Sequence, residues 1–416
     1  MTLIVLLDLQ DGEVRRMMTM FRLCLLLIVA IFVCSCREDV HQSIITNEPI
    51  ADFQKELLDI SFKTATSIPV NPHVKDRSKA QQSVIDTCIK LGQPVKAEAF
   101  IPEIDNWRRN LCYANLAFYC AQQGYADQAK RYLDMAEKLP EEDQHWRTDR
   151  IKAQITKTHL LLGQTGQADK LRNDFANNET DEKAQVIAIV NDKDSFDEQV
   201  KTLDSLIASG NFNILQNATL AYAQLFNRFY DNKEHRSLAE NKIKTHWEKL
   251  PVYIRMDLLL ELAEFAMDHA DSEKTLELLD EAQAFMDSYE WPIEQLVPMT
   301  AKLVELRFHA GDSEKSKTDI KAAHDLFNAQ KNKIVDIRRA ETLRSLAEAY
   351  QLTGDKQMSL SVYKQVVEEG IENINSRPRA EDLSATCCSM ALHAVEPDDQ
   401  LWKRIHHIYE GLGEPW

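Results

Sequence analysis

The side chains of this 416-residue chain that could do chemistry are histidines, cysteines and carboxylates, and their spacing commits none of them to a reaction. There is no P-loop, no paired-glycine dinucleotide fingerprint, no GxSxG, and neither HExxH nor CxxC at metal spacing. His406 and His407 form the only histidine pair, and neighbours on a helix do not converge on one ion. His159 and Cys120 fall where the helical pattern described below needs large core residues, which reads as packing, not ligation. Eight cysteines divide into Cys24, Cys34 and Cys36 in an apolar N-terminal segment, and Cys88, Cys112, Cys120, Cys387 and Cys388 beyond it. Cys112 and Cys120 sit eight residues apart on one helix, about 12 Å at 1.5 Å per residue, too far to bridge. Cys387 and Cys388 point to different sides of theirs. The five read as small buried hydrophobes, with a Cys88 bridge to Cys112 or Cys120 left open. No cofactor or metal is expected, and the chain reads as a non-enzyme.

Acids outnumber bases 66 to 49, for a net charge of −17, so nonspecific attraction to nucleic acid or anionic lipid is not expected. Hydrophobic residues make up 44% and Gly and Pro are scarce, at 11 and 12, which excludes collagen-like, low-complexity and turn-rich all-β classes. The length would hold two or three domains or one continuous solenoid.

The apolar run Leu23–Val33, LCLLLIVAIFV, is short for a membrane span and follows Arg22, as in a secretory signal. Val33-Cys34-Ser35-Cys36 after it resembles a bacterial lipobox. The resemblance implies diacylglycerol on the Cys36 thiol, cleavage before it, and a mature chain anchored by acyl chains whose methylenes are each worth roughly 0.8 kcal/mol. Cys34 departs from the small residue usual at that place, and an uncleaved anchor or ordinary signal peptidase cleavage are the alternatives. Residues 1–16, MTLIVLLDLQDGEVRR, fit no signal; a start at Met17, Met18 or Met20 would remove them. Residues 37–77, broken by Pro49, Pro69 and Pro72, read as a tether, and 78–106, turning at Gly92-Gln93-Pro94, as a capping helical hairpin.

The elements that would position any functional side chain are helix pairs. Tyr113, Leu116, Ala117 and Cys120 share one helical face, and Ala129, Tyr132, Leu133 and Ala136 share a second, with Gly124 between. Leu346, Ala347, Tyr350, Gly354, Ser359, Tyr363 and Val366 repeat the arrangement. HADSEKT from His269 and HAGDSEKS from His309 are copies, as are RAETL from Arg339 and RAEDL from Arg379. Turn anchors at Gly124, Gly163, Ala270, Gly311 and Gly354 lie 39, 41 and 43 residues apart where adjacent; the registers near 180–250 stay open.

This pattern resembles the tetratricopeptide repeat family. It implies an all-α, right-handed superhelical solenoid of antiparallel helix pairs over 107–397, with a capping helix at 398–416 that closes the open end. In that family the first helices line a concave docking face. The register carries Glu264, Glu305 and Glu348 to one equivalent place on that face, with Arg344 one turn before the last. The implied partner is a protein or peptide, basic or amide-rich, on an acidic ladder; the bland reading is a solvated face. The expected function is a lipid-anchored scaffold in a bacterial cell envelope, facing the periplasm, the membrane undecided. An accessory lipoprotein of envelope or outer-membrane assembly is the alternative, and an enzyme with an unrecognised site the third.

Overall fold

The computed structural model describes residues 45–138, 145–174, 195–209 and 212–416. Among these there are eighteen α-helices and no strand. In chain order they are α1 (Asp52–Ser67), α2 (Val70–Lys90), α3 (Pro94–Phe100), α4 (Arg108–Gln122), α5 (Ala126–Ala136), α6 (His145–Leu161), α7 (Thr165–Asp174), α8 (Phe196–Ser209) and α9 (Phe212–Arg228). There follow α10 (Lys233–His246), α11 (Val252–Asp268), α12 (Ser272–Asp287), α13 (Ile293–His309), α14 (Ser313–Gln330), α15 (Asp336–Leu352), α16 (Lys356–Gly370), α17 (Ser376–Leu392) and α18 (Asp399–Glu410). From α4 onward they stack as antiparallel pairs. First helices pack against first helices, α4 on α6, and further on α9 on α11, α11 on α13, α13 on α15 and α15 on α17, and second helices lie behind their partners. This is an all-α solenoid.

A two-residue turn makes the later hairpins. The first residue adopts left-handed backbone: Ala270 at φ 57°, Gly311 at 98° and Gly354 at 87°, with Gly124 and Gly163 doing the same earlier. That conformation lets the following N–H reach back to a helix carbonyl, as Asp355 N does to Tyr350 O at 2.9 Å. The next residue is an aspartate whose side chain caps the second helix: Asp271 on Lys274 N (3.0 Å), Asp312 on Lys315 N (3.4 Å), Asp355 on Met358 N (3.0 Å). Small side chains at the crossings bond the opposing backbone, as Ser316 Oγ does to Val304 O at 3.1 Å and Ser359 Oγ to Ala347 O at 2.8 Å. These close approaches need small residues, which is why Ser and Ala recur there.

The ends differ from the sequence reading. The described part of the expected tether, 45–77, is folded: α1 fills it, and Pro69 and Pro72 mark the entry to α2 instead of a linker. Before α1, Asn47 Oδ1 accepts from Val95 N at 2.9 Å and Glu48 N donates to Gly92 O at 2.7 Å, so this strap holds the α2–α3 turn. Helix α1 then packs against α17, at the far end of the chain. Gln54 Nε2 donates to Ala391 O at 2.8 Å, and Ser61 Oγ donates to Ser384 O at 2.8 Å and lies 3.1 Å from Cys388 Sγ. Leu57, Leu58 and Phe62 share one buried core with Cys387, Met390 and Ala391.

The array therefore has no open end at α17 for a C-terminal cap to cover. Helix α18 instead backs the last pair, its Arg404 gripping Glu368 of α16 through Nε (2.8 Å) and Nη2 (2.7 Å). Helix α2 in turn meets both α17 and α4, so 78–106 joins the two ends of the array where a terminal cap was expected. Cys88, Cys112, Cys120, Cys387 and Cys388 are all buried and free, so the bridge left open for Cys88 is not made.

Candidate functional site

Where the two ends meet, three helices turn one charged stripe each toward a common hollow of about 460 Å³. Helix α2 contributes Asp76, Lys79, Ala80 and Ser83; α15 contributes Ile337, Arg338, Glu341 and Arg344; α17 contributes Arg377, Pro378, Glu381, Asp382, Ser384 and Ala385. On α2 and α15 the spacing runs i, i+3 or i+4, i+7, so one face of each helix looks in.

Most of the charges answer one another. Arg338 Nη1 donates to Glu341 at 2.7 Å, and Arg377 Nη1 donates to Glu381 at 2.9 Å and lies 3.6 Å from Asp76. Among the described residues Arg344 makes a single long hydrogen bond, Nη1 to Thr386 Oγ1 at 3.4 Å. Among the described residues no hydrogen bond or ion pair reaches the Asp382 carboxylate. Burial pushes that carboxyl up to about 7, with Glu381 and Glu341 acting in the same direction and Arg344 and Arg338 opposing. Burial raises Glu381 too, against the pull of Arg377. Gly370, at the end of α16, leaves room for Asp382: a Cβ there would stand 3.2 Å from the Asp382 Cβ.

Of the residues singled out in the sequence, only Arg344 lines this hollow. Glu264 and Glu305 are drawn together by Lys302, whose Nζ lies 3.3 Å from the first and 3.4 Å from the second. Glu348 accepts from Ser389 Oγ of α17. Gln224 Nε2 donates to Glu261 at 2.9 Å, and Gln351 Nε2 to His393 O at 3.1 Å. Glu264 and Glu348 thus join a series of polar stitches between successive first helices, while Glu305 pairs with Lys302 of its own helix. They are not a row of free acids. Burial also pushes Glu261 up to about 7, with Gln224 pulling it down and Glu264 and Asp257 adding to the rise. Cys36 lies outside the described residues. His159 is buried, its Nδ1 2.7 Å from Gln164 Oε1, and His406 Nε2 stands 3.7 Å from Glu56 of α1.

Asp382, Glu381, Asp76 and Lys79 escaped the sequence reading, yet one signal was there. In the copied pentapeptides RAETL and RAEDL, Thr342 corresponds to Asp382. Thr342 is buried and bonds its own helix, Oγ1 to Arg338 O at 2.8 Å. A carboxylate at the equivalent place, half-buried there, is a departure that packing alone does not call for.

A larger hollow of about 760 Å³ lies between the second helices α14, α16 and α18. Its charges pair across the gap, Lys331 with Glu369 at 2.5 Å and Arg404 with Glu368 at 2.7 Å, while Lys364 reaches Asp398 at 2.6 Å. No described helix is long and apolar enough to cross a membrane.

Comparison with known protein families and with characterised proteins gives no match. A solved circular tandem repeat protein, described as having a novel repeat topology and enhanced subunit contact surfaces, aligns over 86% of this chain and 94% of its own, at 14% identity and a TM-score of 0.28. So loose a likeness carries no argument; the helical-repeat character of this chain rests on its own geometry.

Proposed function

We propose that this chain is a non-enzymatic docking scaffold for a protein partner, held at a bacterial envelope membrane by lipid on Cys36 and facing the periplasm. One observation supports docking: three large aliphatic side chains are exposed beside the charged hollow. They are Val335 (59% exposed) and Ile374 (81%), on the segments that lead into α15 and α17, and Ile337 (49%) in the first turn of α15. Asn373 Nδ2 donates to Asp336 Oδ2 at 3.0 Å and ties those segments together. Exposed aliphatics grouped beside charge are the composition of an interface, an apolar centre with a polar rim.

The test places a photo-crosslinking amino acid at Ile374, and separately at the exposed Tyr289 as a control, in living cells. A discrete adduct from Ile374 and none from Tyr289 supports docking here; identical patterns from both positions remove it. The acidic ladder offers a second docking place for a basic segment, although Glu264, Glu305 and Glu348 are already engaged within the array. The anchor is read by metabolic palmitate labelling of the wild type and of Cys36→Ala. Label on the wild type alone supports it, and equal label retires it.

A further inference from the structure

The seam hollow holds two groups of opposite charge that do not satisfy each other. Its other acids and bases close three contacts: Arg338 with Glu341, and Arg377 with Glu381 and Asp76. What remains, among the described residues, is the Asp382 carboxyl, which no hydrogen bond or ion pair reaches, and the Arg344 guanidinium, with one hydrogen bond of 3.4 Å. Lys79 is exposed and solvated. Arg344 and Asp382 both line the hollow, near enough for the guanidinium to act on the carboxyl, yet no ion pair joins them. A partly buried carboxyl left without a partner is costly, and a direct salt bridge would have removed the cost. Lining one cavity without pairing, the two groups leave room for a ligand that carries both complementary charges.

We propose that the seam hollow binds a small zwitterion of amino-acid size, its carboxylate held by the Arg344 guanidinium and its ammonium by the Asp382 carboxylate. The volume of about 460 Å³ lies within the range of small-molecule sites. Arginine suits the carboxylate because its planar fork matches it. The Ser83 hydroxyl lines the same hollow and can hydrogen-bond the ligand's remaining polar atoms. The departure of Asp382 from its buried Thr342 copy gets a reason, since the ammonium needs an acceptor at that place. This inference does not depend on the docking reading, which concerns the exposed aliphatic side chains at the rim of the hollow, Ile337 among them.

Binding couples to a proton. Asp382 is faced by Arg338, Glu341 and Arg344 from α15, by Asp76 and Lys79 from α2, and by Arg377 and Glu381 from its own helix. Because burial holds the empty site's carboxyl near 7, the ammonium must displace a proton from it below that pH. Affinity should then rise roughly tenfold between pH 6 and pH 8.

The experiment is calorimetric titration of the full chain with each of the twenty L-amino acids. For the best binder, its N-acetyl and carboxamide forms follow, each lacking one charge. We expect micromolar to low-millimolar binding by at least one amino acid, weakened about tenfold or more when either charge is blocked. Arg344→Gln should erase the preference for a free carboxylate, and Asp382→Asn both the preference for a free amine and the pH dependence. Circular dichroism checks that each variant is folded. Absence of binding by any amino acid at 10 mM or so, or equal binding of the blocked forms, overturns the proposal. A terminally blocked peptide with neighbouring Lys and Glu side chains is the last arm. If it binds where free amino acids do not, the hollow is part of the docking surface and the zwitterion reading fails.

Discussion

Cutting a single leucine in α1 should be felt more than three hundred residues away. Leu58 is fully buried in the core that α1 shares with α17. Leu58→Ala removes three carbons, about 2.4 kcal/mol at roughly 0.8 kcal/mol per methylene, and leaves a cavity that brings the expected loss to about 3–4 kcal/mol. The loss should not stay in α1. Gln54 and Ser61 hold the backbone of α17 at Ala391 and Ser384, and those bonds loosen when α1 does. The assay is hydrogen exchange across the chain, read beside a denaturant titration. Amides of 380–391 should lose protection together with those of 52–67, while the 262–285 region, whose leucines belong to a separate core, changes less. Leu259→Ala, equally buried there, should give the converse pattern. Unchanged exchange over 380–391 together with a denaturation midpoint like the wild type's would refute the packing of the two ends and restore a tether.

Two further expectations concern single residues. Asp382 has its carboxyl raised to about 7 in the fold, so its contribution is present below the ordinary carboxylate range and is lost as pH rises through about 7. Asp382→Asn should exceed the wild type by up to roughly 4 kcal/mol at pH 8, the ceiling set by that rise, and by only about 1.5–2 kcal/mol at pH 5, where the unfolded carboxyl is already ionised and the folded one is not; an equal difference at both pH values in urea titrations would show that burial there costs nothing. Ala270 occupies left-handed backbone at φ 57°, where a β-carbon is strained, so Ala270→Gly should stabilise the chain by about 0.5–1 kcal/mol in thermal or chemical denaturation. A loss in its place would mean that the Ala270 methyl packs better than its backbone conformation suggests.

What could be read from the sequence was local. The copies around Ala270, Gly311 and Gly354 carry their own turn chemistry, an αL residue followed by a capping aspartate, so hairpins could be placed from a dozen residues at a time. Helix α1 was misread because Pro69 and Pro72 follow it closely and no copied segment falls within it. Its partner surface is α17, and nothing near Ser61 in the chain points to Ser384. Helix α17 also hid the seam. Cys387, Cys388, Met390 and Ala391 bury it on several sides because α1 covers the side that a terminal helix would expose. The hollow was invisible for the same reason: α2, α15 and α17 belong to one site only once the ends have met. Arg344 came from register alone, and register could not say that its opposite number would be Asp382.

The bonds from Gln54 to Ala391 and from Ser61 to Ser384 span 337 and 323 residues. At a ribosome adding about 5–20 residues per second, nascent α1 waits roughly a quarter of a minute to a minute for its α17 surface. Through that interval Phe62 has its stacking partner Phe100 of α3 and α1 has α2, but the α17 side of their core is missing. A chain assembled in this way cannot mature from front to back. The first of the described helices is among the last to complete its packing.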